Sequence, residues 1–247
     1  MIRWSRPMLL GVGVGLAFVG WRRPWRRHIQ PSRMLDEFVP GAQFRDTIAV
    51  DVAAPPQRVF QALQEVTLRD MPVAWAVGEL RYLPGRLTGH ASSAPAGPGG
   101  PVGDRPFLSL ILNEGGSIVL AEHADEEVVI GSIGRLHDPL DQALVPLDGP
   151  AAFRAFAEPG FEKLAMSMRA QPIGAHRTTA VLEHRTLALD GGARRRFSRY
   201  WLAIKPGGAF VSWLLLRAAR RRAEASDPPA ATGPCERDRS TIGAGLR

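Results

Sequence analysis

The sequence predicts an α+β fold in which a curved antiparallel sheet grips a long C-terminal helix, and three observations carry that prediction. A period-two strand, Phe44 to Val52, runs at once into a proline-initiated helix; strand-like segments crowd the stretch from 117 to 189; and a long helical stretch, Ala193 to Glu224, closes the body.

The first strand places Phe44, Asp46, Ile48, Val50 and Val52 on one side, and Ala53-Ala54-Pro55-Pro56 ends it. Proline is tolerated in the first helical turn, so a helix is expected from Pro56, with Val59, Phe60, Leu63 and Val66 on its buried face. A second helical piece is expected from about Leu68 to Leu80. Residues 88 to 106, TGHASSAPAGPGGPVGDRP, show no periodicity and read as a flexible insertion, either a plain excursion or a gate over a pocket. Phe107 to Leu112 is apolar without a clear period. Strands are expected at Ser117 to Ala124, Glu127 to Leu136, Glu162 to Ala170 and Thr178 to Leu189, with one helical turn near Ala151 to Phe156. The C-terminal stretch reads as two helical segments broken at Lys205-Pro206-Gly207-Gly208. In the first, Phe197, Tyr200, Trp201 and Ile204 form one apolar stripe; in the second, Phe210 to Leu216 is apolar nearly all round and must be covered.

Charge divides the chain. The formal net charge is +7, but residues 1–33 carry +7 and 193–224 carry +8, while 34–192 carry −8. A body of that sign argues against nucleic-acid binding. A single cysteine, Cys235, excludes an internal disulfide and a cysteine metal site.

Met8 to Trp21 is an uncharged run flanked by arginines on both sides. As a helix it covers roughly 21 Å of a hydrocarbon core of about 30 Å, with Trp4 and Trp25 placed as interfacial anchors. It reads as an uncleaved single-pass anchor, with an interfacial leader and a cleaved signal as alternatives. The larger positive charge follows the run, which places the main domain on the cytoplasmic side of the cell membrane. The expected organisation is therefore an anchor with basic flank at 1–33, a linker at 34–43, the folded domain at 44–224 and a disordered tail at 225–247.

Candidate chemistry is sparse. Glu183 and Arg185 stand at i, i+2 on one strand face, either as a charge-assisted pair inside a pocket or as an exposed ion pair. His137-Asp138 ends a strand, as the beginning of a general base or simply as a turn before Pro139. Asp70, His123 and His184 have no partner at recognisable spacing, and no metal or catalytic motif is found, so neither a catalytic residue nor a cofactor is assigned.

Ile48-Ala49-Val50-Asp51-Val52-Ala53-Ala54-Pro55-Pro56-Gln57-Arg58-Val59-Phe60 resembles the strand-to-helix opening of the START-like, helix-grip superfamily (SRPBCC), which includes polyketide cyclases and lipid-transfer domains. Similar segments are Glu127 to Gly131, Glu183 to Thr186, and Phe197-x-x-Tyr200-Trp201-x-x-Ile204-x-Pro206-Gly207. The resemblance implies a cavity between sheet and C-terminal helix. The ligand-facing residues expected are Trp75, Glu183, Arg185, Phe197, Trp201, Phe210 and Trp213. The implied function is binding of a hydrophobic small molecule or lipid without transformation; a cyclase or dehydratase, and a scaffold whose core is filled by its own aromatics, are the alternatives.

Overall fold

The computed structural model describes residues 29–74, 76, 101–113, 116–138 and 144–225. The Met8 to Trp21 segment, Trp75, the insertion from 88 to 100 and the tail from 226 lie outside the described residues. Among the described residues, no helix is long and apolar enough to cross a membrane.

The elements in chain order are α1 (Arg33–Phe38), β1 (Phe44–Val52), α2 (Pro56–Glu65), α3 (Phe107–Asn113), β2 (Ile118–His123), β3 (Glu127–Gly134), α4 (Pro150–Ala155), β4 (Glu162–Gly174), β5 (Arg177–Ala188) and α5 (Gly191–Ala225). The strands form one open antiparallel sheet in the order β1-β5-β4-β3-β2, so the first strand returns against the last. The strand and helix expected at the opening are found, with Val59, Phe60, Leu63 and Val66 buried. The Leu68 region begins with a short 3-10 turn, Leu68–Asp70, whose Thr67 and Asp70 cap each other.

Both faces of the sheet are covered. On one, Val50, Val52, Val128, Ile130, Met166, Met168, Ala180 and Leu182 pack against α2 and the C-terminal half of α5, which contributes Leu215, Leu216, Ala218, Ala219 and Ala223. On the other, Val129, Ile133 and Ala165 pack with Leu35, Phe38 and Val39 of the N-terminal segment and with Phe153 of α4. Gly131 sits at the close approach on this second face: a Cβ there would lie 2.5 Å from Leu120 Cδ1 and 2.8 Å from Phe153 Cε2.

Three expectations are corrected. The stretch 34–43 is not a linker: Ser32 caps α1 by accepting a hydrogen bond from the Leu35 amide, and Leu35 and Val39 are completely buried. The insertion does not extend to 106, because Pro101–Asp104 form a 3-10 turn whose Asp104 pairs with Arg69 at 2.9 Å, and α3 follows. Third, α5 is one continuous helix through Lys205-Pro206-Gly207-Gly208. Proline removes the hydrogen bond to the carbonyl one turn earlier, that of Leu202. Leu202 is 79% exposed, so that carbonyl lies on the side where water can satisfy it, while packing on either side of the proline holds the axis together.

Candidate functional site

The two halves of α5 do different work. Its C-terminal half is core; its N-terminal half roofs a cavity of about 210 Å³ over the β1, β4 and β5 end of the sheet. Phe197, Tyr200, Trp201, Ile204, Lys205, Gly208 and Ala209 form the roof, and Asp46, Leu164, His184 and Thr186 the floor, with Leu136 at the side. Small residues at 208 and 209 are part of the reason that space remains beneath the helix. Phe44 from β1 fixes the roof, its ring 4.7 Å from that of Phe197, and Trp201 stacks on Phe197 at 5.9 Å.

The floor follows from strand register. Asp46 lies directly across from His184, and Phe44 from Thr186, so these side chains share the face that carries Ile48, Leu182 and Met166. Between roof and floor, Lys205 Nζ stands 4.0 Å from Asp46 Oδ1 and 5.7 Å from the Trp201 ring. Burial pushes the His184 imidazole down to about 4, only partly opposed by the Glu183 charge, so the ring is neutral at ordinary pH. Among the described residues the side chains of His184 and Thr186 have no hydrogen-bond partner, and both open onto the cavity.

Of the residues expected to face a ligand, Phe197 and Trp201 line this cavity. Phe210 and Trp213 stack on each other at 6.0 Å further along α5, where Trp213 packs on the core and carries the Arg217 guanidinium over its ring. Trp75 lies outside the described residues. Glu183 and Arg185 do pair, at 2.8 Å, and both are buried, but they face away from the cavity. They alternate with Leu182 and His184 along β5 and so point to the α1 side of the sheet. There Glu183 accepts hydrogen bonds from the Ser32 amide and from Arg169, while Arg185 donates to the Ser32 carbonyl and to Asp36. Arg169 also donates to the Gln30 carbonyl, and the Ser32 hydroxyl donates to Glu127. Burial penalises the Glu183 charge, yet the Ser32 amide and the Arg185 and Arg169 guanidiniums hold its carboxyl below the usual range. The pair is thus a clamp on the backbone of residues 30–36.

His137 is oriented by a carboxylate, though not by Asp138. Its Nδ1 lies 2.9 Å from Glu162 Oε1, and its Nε2 accepts from Arg196 Nε at 3.0 Å. With both ring nitrogens engaged outside the cavity lining, it offers no free base there. Glu162 is fully buried and its carboxyl is raised by that burial, against the pull of His137. The arginines ending α5 are also engaged: Arg222 pairs with Asp70 at 2.8 Å, Arg220 with Glu224 at 2.9 Å, and Arg221 donates to the Asp70 carbonyl.

The residues that sequence reasoning missed are Asp46, His184, Thr186 and Lys205. The period of β1 already placed Asp46 on the face with Phe44 and Ile48, which is the available signal; pairing β1 with β5 is a long-range fact that spacing does not contain.

No protein-family model matches the chain, and no curated protein matches it either. Among solved structures it is similar to a structural-genomics protein from Mesorhizobium loti, at 12% identity over 74% of this chain and 100% of that one, with a TM-score of 0.31. It is also similar to the Zhui aromatase/cyclase from a Streptomyces species, at 14% identity over 75% of this chain and 99% of that one, with a TM-score of 0.27. Nothing about chemistry follows from likenesses of this size. The order of strand, short helices, antiparallel strands and long C-terminal helix packed on an open antiparallel sheet is the one the resemblance implied.

Proposed function

We propose that this domain binds a small hydrophobic molecule between the sheet and the N-terminal half of α5 without transforming it. The supporting observation is the cavity itself: an aromatic and aliphatic roof over a floor with a few polar groups is the composition of a ligand site. Its volume of about 210 Å³ is below the 300–1,000 Å³ usual for drug-sized ligands, so a compact molecule fits better than an extended lipid. Replacing Leu164 by Trp fills the floor from a strand position that suits an aromatic. Binding of naphthalene, followed by its fluorescence, is expected in the native domain and lost in that variant. Equal binding by both would place the ligand elsewhere, and no binding by either would sink the reading.

The catalytic alternative rests on one observation, the neutral and unbonded imidazole of His184 at the cavity floor. Glu183, Arg185 and His137, whose convergence there would have favoured a cyclase or dehydratase, lie elsewhere.

We also propose that Met8 to Trp21 anchors the domain at the cytoplasmic face of the cell membrane, on the strength of its uncharged run between arginines. The seat of Ser32, Leu35 and Phe38 would then hold the body about ten residues along the chain from the anchor. Full-length protein is expected with the membrane fraction and a chain starting at Ile29 in the soluble fraction; full-length protein recovered wholly soluble refutes the anchor.

A further inference from the structure

The polar groups of the cavity are arranged unequally. Asp46 of the floor and Lys205 of the roof stand opposite one another, 4.0 Å apart, so the one carboxylate and the one ammonium of the lining offset each other. His184 and Thr186 stand at i, i+2 on the floor, on the same face of β5, roughly 7 Å apart along the strand. Thr186 is 1% exposed, and neither side chain has a hydrogen-bond partner among the described residues. Buried polar groups are ordinarily paired, by protein or by a bound molecule. Two unpaired groups side by side, one able to accept through an imidazole nitrogen and the other able to donate through a hydroxyl, match a single group that both donates and accepts.

We infer that the ligand of this cavity is an uncharged, ring-sized molecule bearing a hydroxyl group, held between His184 and Thr186; this rests on the proposed binding reading. The hydroxyl donates to the imidazole and accepts from Thr186. A cavity of about 150 Å³ holds one benzene ring, so about 210 Å³ suits one ring or two fused rings. A carboxylate is disfavoured on three counts. Asp46 is the cross-strand neighbour of His184, Lys205 is already opposite Asp46, and the imidazole contributes no positive charge, being neutral above about pH 4.

Naphthalene, naphthol and naphthoate share a ring system and differ only at the substituent. Their dissociation constants are measured by ligand fluorescence with the native chain and with the His184→Leu, Thr186→Val and Leu164→Trp variants. Naphthol is expected to bind roughly tenfold more tightly than naphthalene, the effect of one good hydrogen bond, and naphthoate more weakly than either. His184→Leu and Thr186→Val should each bring the ratio of naphthalene to naphthol dissociation constants from about ten down toward one. If naphthol and naphthalene bind equally and Leu164→Trp abolishes both, the hydroxyl assignment falls while the cavity remains the site. Naphthoate binding most tightly likewise overturns the assignment. Absence of binding by all three overturns it together with the reading it rests on.

Discussion

Replacing His184 by Leu should make the domain less sensitive to mild acid. A histidine free in the unfolded chain titrates near 6.5, whereas burial holds this one at about 4 in the fold. Between those values the unfolded chain takes up a proton that the folded one refuses, so stability falls as pH drops, by about 1.4 kcal/mol per unit for one proton. The His184 contribution is complete above pH 6.5, and by pH 5 about 2 kcal/mol has been lost. Leucine has no proton to take up, and it replaces an imidazole that makes no hydrogen bond, so the fold should survive at neutral pH. Urea unfolding of both proteins at pH 7.5 and pH 5 measures the difference. Glu183 and Asp70, held below their ordinary values, and Glu162, held above, titrate in both and largely cancel in the comparison. The native protein should lose about 2 kcal/mol more than the variant over this interval. Equal losses would show that His184 is solvated and that the cavity floor is not the desolvated surface described above.

Two further outcomes follow from the opposite face of the sheet. Arg185→Met removes the partner of Glu183 and Asp36 and the donor to the Ser32 carbonyl, and should cost about 3–5 kcal/mol with rapid amide exchange across residues 30–38; a loss under about 1 kcal/mol would show that the clamp is incidental. Gly131→Ala drives a Cβ against Leu120 and Phe153 and should cost about 1–3 kcal/mol in the same urea assay; an unchanged midpoint would refute the close approach.

The parts of the fold that local pattern determines were legible. Period-two alternation located β1, the prolines marked the start of α2, and the strand-rich stretch contained β2 to β5 with ends within a few residues. Breaks were read less well, because a helix-breaking signal competes with packing that only the fold supplies. Lys205-Pro206-Gly207-Gly208 looks like an interruption, yet α5 is anchored on both sides of it, by Phe197 against Phe44 and by Leu215 and Leu216 in the core. The linker reading failed for the converse reason. Ser32 ahead of Leu35 and Phe38 is a cap followed by an apolar pair, a real but short signal whose force comes from Glu183, some 150 residues away in sequence.

The candidate site was legible only on the helix side, and β5 shows why. A strand with one wet face announces its buried face by alternation, but β5 is buried on both: Ala180 and Leu182 against α2 and α5, Val181, Glu183 and Arg185 on the side of the N-terminal segment. Spacing alone shows that Glu183 and Arg185 share a face with each other and not with His184; it cannot tell which set faces the helix. A charged pair looks like the functional set, yet here the charges are consumed in holding backbone, their hydrogen bonds filled by Ser32, Asp36 and Arg169. The set left unsatisfied is the quieter one, a lone histidine and a threonine. What marks the candidate site in this buried strand is therefore hydrogen-bonding capacity beside open space, not charge, and it becomes visible only once the register with β1 and the helix above it are known.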